Sequence, residues 1–464
     1  MPSKAYIHFE LSERRTLLRV FDIVSVLVGL YIVSTVFTFD YFKINGSNWL
    51  WTVILVVYLV LFANIFELYN LQKSSKFELI FPNVLIVSAV TVIMYLLTPF
   101  LTPVLPDNRL QIVYFFFAIT FSLLIWRWSY IFFVSSPLFH KNYIIIGTPD
   151  EISLMYDVIT ESSNGFKIIG YYNLDPGKKL PGNFPGIKPI KNPDLIETVR
   201  GNGVSEIIIA NKGKEDFSRK MFADLIQLLE SGIPIREYAQ VYEEFTCRVP
   251  IQYIENEFYK YIPFSRSNQN KLYLFVHRLI DILVAILGIS FCLLTIPFIL
   301  IGNRIANKGP LFYVQQRVGK NGFPFTIYKF RTMVVNAEKD GAKWASKNDY
   351  RITRFGSFLR KSRLDEMPQF FNILKGNMSV IGPRPERPEF VAELSKELPF
   401  YETRHVIKPG LTGWAQVSYA YGSSKKDSLK KLQYDLYYIK HRSFFLDARI
   451  IIKTLSTILF YRGQ

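Results

Sequence analysis

Apolar and polar positions are unevenly distributed along this chain. Four long apolar stretches open it: Val20–Phe39, Trp49–Phe66, Leu79–Leu101 and Leu110–Val134. Each approaches the roughly 20 residues that a helix needs to cross a bilayer. Short loops join them, so an α-helical four-span bundle is expected over residues 1–139. Asp22 and Arg127 interrupt the first and fourth stretches near an end, within reach of the membrane interface. Arg14, Arg15 and Arg19 precede the first stretch, and Lys73 and Lys76 separate the second and third; the other two loops hold only Lys43 and Arg109. The positive-inside rule then puts the N-terminus, and everything after the fourth span, in the cytoplasm. A second span follows closely and no small-residue cleavage site stands out, so no signal-peptide cleavage is expected.

From about Lys141 the pattern becomes that of an α/β domain. Tyr143–Ile146, Lys167–Tyr172 and Glu206–Ala210 read as strands, and Pro149 to Thr160 as a helix. Proline and glycine punctuate residues 176–193. Together these predict a Rossmann-like domain over residues 140–262. Its nucleotide-binding version needs G-x-G-x-x-G after the first strand, so that backbone can approach a pyrophosphate. Here the run is Gly147-Thr148-Pro149-Asp150-Glu151-Ile152. One glycine cannot make that loop, and a structural or regulatory role is expected ahead of cofactor binding.

A fifth apolar stretch, Leu279–Ile301, follows Arg278, contains Asp281 and carries Pro297 near its far end. Proline removes a backbone donor and kinks a helix. Intramembrane breaks are tolerated where protein or water satisfies the freed groups. Hydropathy alone leaves open whether this helix spans the membrane or enters and turns back. It begins a third, mainly helical domain, residues 271–464.

Composition narrows the partners. Cys247 and Cys292 are the only cysteines, which excludes a disulfide framework and a cysteine zinc site. From Asn303 onward there are 29 Lys/Arg against 13 Asp/Glu, so nearly all of the chain's net charge of +17 sits in its last third. Such a domain suits nucleic acid, an anionic membrane surface or a phosphorylated substrate. Nucleic acid is set aside, because the preceding chain is membrane-like and no nucleic-acid motif occurs.

The last third also carries a dense series of motifs. Gln315-Gln316-Arg317-Val318-Gly319 leads to Tyr328–Met333, then Arg351–Gly356, Leu364–Gln369, Gly376–Glu386 and Lys408–Val417. A phosphoryl-transfer site needs cations for a diphosphate and a carboxylate to attack or to hold Mg²⁺. Arg317, Lys329, Arg331, Arg351, Arg354, Arg360 and Arg384 are candidate phosphate contacts, with Gln369 beside them. Asp365 and Glu366 form the sole adjacent acidic pair after Glu243-Glu244. Pro368 follows them, as in a helix first turn. With Asp365 as cap of a helix over Gln369 to Leu374, free N–H groups would favour a bound phosphate. Taken alone, an acid pair beside basic residues is more often an ordinary exposed cap.

The ordered combination, strongest from Gly309 to Val417, resembles the bacterial sugar transferases that act as polyprenyl-phosphate hexose-1-phosphate transferases. The four-span start and degenerate middle domain look like the long form of that family. The resemblance implies an enzyme of the bacterial inner membrane that transfers hexose-1-phosphate from a UDP-sugar to undecaprenyl phosphate. It implies Asp365 as covalent nucleophile, Glu366 as partner in holding Mg²⁺, Arg384 as a phosphate contact, and release of UMP. It also implies a re-entrant helix at about residues 279–301, marked here by Arg278, Asp281 and Pro297, which keeps the catalytic domain on the cytoplasmic face. His277-Arg278 and Thr295-Ile296-Pro297 depart from the family's basic pair and Ser-Pro break. A membrane-bound NAD-dependent nucleotide-sugar dehydratase or epimerase, and a non-catalytic assembly scaffold, are the rival readings. A homodimer through the middle domain is a further expectation.

Overall fold

A computed structural model describes residues 11–37, 39–42, 48–74, 77–133, 141–162, 166–175, 177–178, 180–182, 184, 186–190, 195–210, 217–251, 268–307, 309–335, 337, 349–419 and 424–459. The chain divides into two compact units, Met1–Thr246 and Cys247–Gln464. The predicted limits at residues 139–140 and 262 lie outside the described residues.

The first unit opens with helices Leu11–Val36, Trp49–Ile65, Phe77–Leu96 and Leu110–Phe133. The first packs on the last, and Phe77–Leu96 packs on both Trp49–Ile65 and Leu110–Phe133. Three of them, Leu11–Val36, Phe77–Leu96 and Leu110–Phe133, are long and apolar enough to cross a membrane. Trp49–Ile65 is a shorter apolar helix, whose 17 residues rise about 26 Å against a ~30 Å hydrocarbon core. Asp22 and Arg127 face into the helical bundle. They pair with each other at 2.5 Å, both fully buried, and Tyr69 covers the guanidinium at 5.6 Å. An isolated charge in hydrocarbon is costly, whereas a pair shares the penalty and ties the first helix to the last.

The same unit continues into strands β1 (Lys141–Gly147), β2 (Phe166–Asn173), β3 (Lys188–Pro189), β4 (Glu206–Ala210) and β5 (Ile235–Glu237). They form one sheet in the order β3-β2-β1-β4-β5, and every pairing is parallel. A parallel sheet covered on its faces needs strands apolar throughout, and Ile144–Ile146 and Ile207–Ile208 are fully buried. Gly147 ends β1 where a Cβ would press on the Ala210 backbone oxygen at 2.8 Å. The next turn is closed from within the chain. Glu151 Oε2 accepts from the Thr148 backbone N–H at 3.0 Å and from its hydroxyl at 2.8 Å. That is one arm of a capping box.

The second unit starts from the helix Lys271–Ala306, 36 residues long and the fourth helix apolar enough to cross a membrane. It is a single helix with Pro297 inside it, so the expected turn-back at the proline is not a break in secondary structure. Asn270 caps it, accepting from the N–H groups of Leu272 and Tyr273. Tyr273, His277, Asp281, Ala285, Gly288, Cys292, Ile299 and Asn303 form one buried stripe down its length. That spacing follows the 3.6-residue turn. The opposite face, including Phe275, Leu287, Leu294, Phe298 and Ile305, is exposed and apolar. Two aromatic rings lie directly on the buried stripe. Phe370 packs on Gly288 and Phe355 on Gly302, each so closely that a Cβ would enter the ring.

Beyond this helix come an antiparallel hairpin of β6 (Phe312–Val318) and β7 (Pro324–Phe330), and the short parallel pair β8 (Ser379–Ile381) and β9 (Gly410–Thr412). The main core joins Ile381, Leu394, Trp414, Leu432, Leu436, Ile439 and Ile450, with Val249 and Ile251 from before the long helix. Tyr438 and Trp414 are buried packing residues, and the indole N–H donates to the Cys247 carbonyl at 3.2 Å.

Candidate functional site

The helix Arg354–Lys361 leads into the acid pair. Thr353 caps it, accepting from the Gly356 N–H at 2.9 Å. Gly356 lies so tightly on the Thr332 carbonyl that no side chain fits, and Arg360 Nε donates to Thr332 Oγ1 at 2.9 Å. The chain then reverses through Arg363, whose φ of 60° is left-handed. Asp365 and Glu366 fall in the 3₁₀ turn Leu364–Glu366, ahead of the helix Gln369–Lys375. The cap position of that helix is Pro368, not Asp365 as expected from the sequence, and it offers no side-chain hydrogen bond. The tighter turn sets both acids inside the domain, each 8% exposed.

The two carboxylates have different surroundings. Glu366 Oε1 accepts from Lys329 Nζ of β7 at 2.9 Å and from Arg384 at 2.8 Å, and Arg363 stands 3.8 Å from Oε2. Burial pushes the Glu366 carboxyl up, but Arg384, Lys329 and Arg363 outweigh it and hold it well below the usual range. Asp365 accepts no hydrogen bond from another described residue. Burial, then the Glu366 charge beside it, push its carboxyl up to about 6 against the pull of Lys329, Arg360 and Arg363. Burial and the neighbouring Arg384 lower the Lys329 ammonium in turn. One acid is clamped and ionised, and its neighbour is poised near neutrality. Environments that separate two carboxyls in this way suit them to different chemical tasks.

The other cations expected to meet phosphate divide clearly. Arg331 spends its donors on the backbone carbonyls of Asn307, Pro310 and Met333. Arg351 forms a two-pronged pair with Asp349 at 2.6 and 2.8 Å and also donates to the Ala337 carbonyl. Both are built into the fold rather than turned to a ligand. Arg317 donates to the Pro385 carbonyl and to Gln315, with Glu386 at 3.6 Å. Arg354 is exposed at its helix start, and Gln369 is buried with its Nε2 unpartnered among the described residues. Lys329, Arg360 and Arg384 are therefore the expected residues that the fold gathers around the acids.

Residues marking the long helix turn inward. Arg278 donates to the carbonyls of Ile373 and Leu374 at 2.6 and 2.7 Å, and so caps the helix after the acids. Asp281 accepts from Ser379 Oγ and the Val380 N–H. His277 sits between Asp281 at 3.6 Å and Asp447 at 3.8 Å, and Asp447 also accepts from Tyr273 and Tyr438.

Beside the acids opens a pocket lined by Arg363, Arg384, Tyr401, Arg404, Gln416 and Tyr419, among others. Arg404 donates to the Arg384 carbonyl at 2.9 Å, to Tyr401 and to buried Asp435 at 2.8 Å, and so holds the loop that carries Arg384. Lys431 also lines this pocket. Arg363, Arg404, Gln416 and Lys431 were missed as site residues. Arg363 adjoins the acid pair and carried a signal, whereas the other three reach the pocket through tertiary folding alone.

Comparison with known proteins agrees with this geometry. Residues 272–461 match the family described as bacterial sugar transferase. The chain is 40% identical over 257 residues to the UDP-N-acetylgalactosamine-undecaprenyl-phosphate N-acetylgalactosaminephosphotransferase of Aeromonas hydrophila, covering 55% of this chain and 59% of that protein. It is 32% identical over 310 residues to the UDP-glucose:undecaprenyl-phosphate glucose-1-phosphate transferase of Xanthomonas campestris, covering 64% and 61%. The match thus spans about three fifths of the length of these two relatives. An uncharacterized sugar transferase of Bacillus subtilis is 37% identical over 190 residues, which is 88% of its own length and 40% of this chain. The chain belongs to the bacterial sugar transferase family.

Proposed function

We propose that this protein transfers hexose-1-phosphate from a UDP-sugar to undecaprenyl phosphate through a covalent aspartyl intermediate. The contrast between Asp365 and Glu366 carries this reading. A buried carboxyl near pH 6 without a hydrogen-bonded partner among the described residues is an available nucleophile at neutral pH, and its neighbour is already neutralised by Lys329 and Arg384. An Asp365 oxygen attacks the phosphorus that bears the sugar, and the bond to the bridging oxygen breaks, releasing UMP. An oxygen of the lipid phosphate then attacks the same phosphorus, breaks the aspartyl–phosphate bond and regenerates the carboxylate. The product is the lipid diphosphosugar. Lys329, Arg384 and Arg363 balance the charge of the diphosphate throughout.

A Mg²⁺ ion fits this chemistry. Among the described residues no group of three or more metal-binding side chains forms. Asp365 and Glu366 Oε2 remain as oxygen donors, and Mg²⁺ is commonly held by one or two carboxylates plus substrate phosphates. When bound, the ion would neutralise charge on the leaving phosphate.

The long helix supports a membrane-dipping, re-entrant placement over a spanning one. Tyr273 near its start bonds Asp447, and Asn307 at its end bonds the Arg331 carbonyl, both within one compact unit. A helix held at both ends by one domain keeps both ends on one side of a bilayer. That side is the cytoplasmic face of the inner membrane, where nucleotide sugars are found. The strand order β3-β2-β1-β4-β5, with β1 central, supports a Rossmann-like reading of the five-stranded sheet. The Glu151 carboxylate occupies the helix start where an NAD diphosphate would lie, which favours a structural role over dehydratase or epimerase chemistry.

The test uses the full chain in membranes with labelled UDP-sugars and no acceptor. Label is expected on the protein, is expected to move to undecaprenyl phosphate when that is added, and is expected to be absent from Asp365→Asn. Near-normal transfer by Asp365→Asn would overturn the assignment.

A further inference from the structure

Lys329 reaches Glu366 from a strand that has only one strand partner, β6. In an antiparallel pair, alternate residues turn their N–H and C=O groups to the partner, and the residues between turn theirs away. On the outer edge of β7 the place of a third strand is taken by one side chain. Asn372 Nδ2 donates to the Thr326 carbonyl at 2.7 Å, and Asn372 Oδ1 accepts from the Tyr328 N–H at 3.2 Å. The amide is 1% exposed, and both of its polar atoms are used. Its orientation is fixed by these partners, since the reversed amide would oppose donor to donor and acceptor to acceptor.

The same two segments meet again at the acids. Tyr328 directly precedes Lys329, and Asn372 lies on the helix that follows Glu366. We propose that Asn372 is a positioning residue for the transfer reaction, its amide setting the register of β7 so that Lys329 meets Glu366 beside Asp365. This rests on the proposed role of Asp365 as nucleophile. Phe325, Ile327 and Ile373 also pack between strand and helix. Apolar packing is non-directional, whereas a two-ended amide bond admits one register along the strand. Register matters because the lysine head is a point charge on a flexible stem. Stretching its 2.9 Å contact with Glu366 by about 1 Å removes roughly a quarter of the Coulomb attraction.

The consequence reaches the nucleophile with a definite sign. Burial and then Glu366 push the Asp365 carboxyl up, and Lys329 is the strongest of the cations that oppose them. When Lys329 draws off, Arg384 and Arg363 still hold Glu366 ionised against its burial. Asp365 therefore keeps the charge that raises it and loses part of the pull that lowers it.

The experiment records kcat/KM against pH for the full chain in lipid nanodiscs, with a labelled UDP-sugar that the unaltered protein transfers. Asn372→Ala should move the acid limb upward by about 0.5–1 pH unit, a fraction of what a close opposite charge supplies. Asn372→Ser, whose hydroxyl can still serve one of the two partners, should move it less, and it is the variant to read if the alanine protein does not fold. Ile373→Val, which loosens the apolar packing of the same helix and spares the amide, should lower the thermal midpoint and leave the limb in place. An Asn372 variant that folds and loses the same factor in rate at every pH would overturn the positioning role. So would an Ile373→Val limb displaced as far as that of Asn372→Ala. Failure of the nucleophile reading looks different: it is scored by label on the unaltered protein and by transfer in Asp365→Asn.

Discussion

Replacing Asp365 by Asn should abolish transfer and at the same time make the protein more stable. The side chain is 8% exposed, and its carboxyl is raised from 3.8 to about 6, first by burial and then by Glu366. The unfolded chain therefore holds the negative charge more readily than the fold does. At about 1.4 kcal/mol for each factor of ten in proton affinity, the gap costs the folded state about 3 kcal/mol. The full cost applies above pH 6. As the pH falls through 6 toward 3.8 the folded protein takes up the proton first and the cost fades, to about 1 kcal/mol at pH 4.5. Asn carries no charge and escapes the cost. For a unit of this size, 1 kcal/mol moves the midpoint by ~2–4 °C, so a gain of roughly 6–12 °C is expected at pH 8 and about a third of that at pH 4.5. Thermal unfolding of the detergent-solubilised pair, followed by tryptophan fluorescence at both pH values, gives the answer. A midpoint for Asp365→Asn that is unchanged or lower at pH 8, or a gain of equal size at both pH values, would refute the reasoning.

Three further outcomes follow from neighbouring contacts. With Asp365 as nucleophile, kcat/KM should fall as pH drops through about 6, and Arg360→Gln, which removes one cation near it, should move that limb upward in a pH–rate profile. Gly356→Ala should cost about 1–3 kcal/mol or more and lower turnover, because its methyl group meets the Thr332 carbonyl; chemical denaturation and initial rates would measure both. Asp22→Asn leaves Arg127 buried without its counter-charge and should destabilise the N-terminal helices by roughly 3–5 kcal/mol, read as lost thermal stability that Asp22→Glu partly restores.

The apolar stretches, the strand-like isoleucine runs and the acid pair were legible because each is a local pattern. Leu110–Phe133 begins where hydropathy starts it, and Glu206–Ala210 is the predicted strand residue for residue. The division of labour among the cations was not legible. Arg331, Arg351 and Arg384 look alike as arginines in motifs, yet the first two serve backbone carbonyls and Asp349, and the third serves Glu366. A guanidinium satisfies a carbonyl as readily as a phosphate, and only tertiary placement decides between them. The same limit hid the Asp22–Arg127 pair, whose partners lie 105 residues apart. It also hid the pocket position of Lys431.

The helix Lys271–Ala306 is long and apolar enough to cross a membrane, and it is also part of the fold of the second unit. Ala285 belongs to the same apolar cluster as Ile327 and Ile373, and Cys292 and Ile299 to that of Phe330 and Leu359. Its carboxylate Asp281 holds the strand that precedes the Arg384 loop. Cutting it away would leave a domain with two opened cores and aromatic rings that have lost the glycines beneath them. The apolar helix is thus itself a wall of the second unit, and a relative without it would have to evolve a new wall in its place.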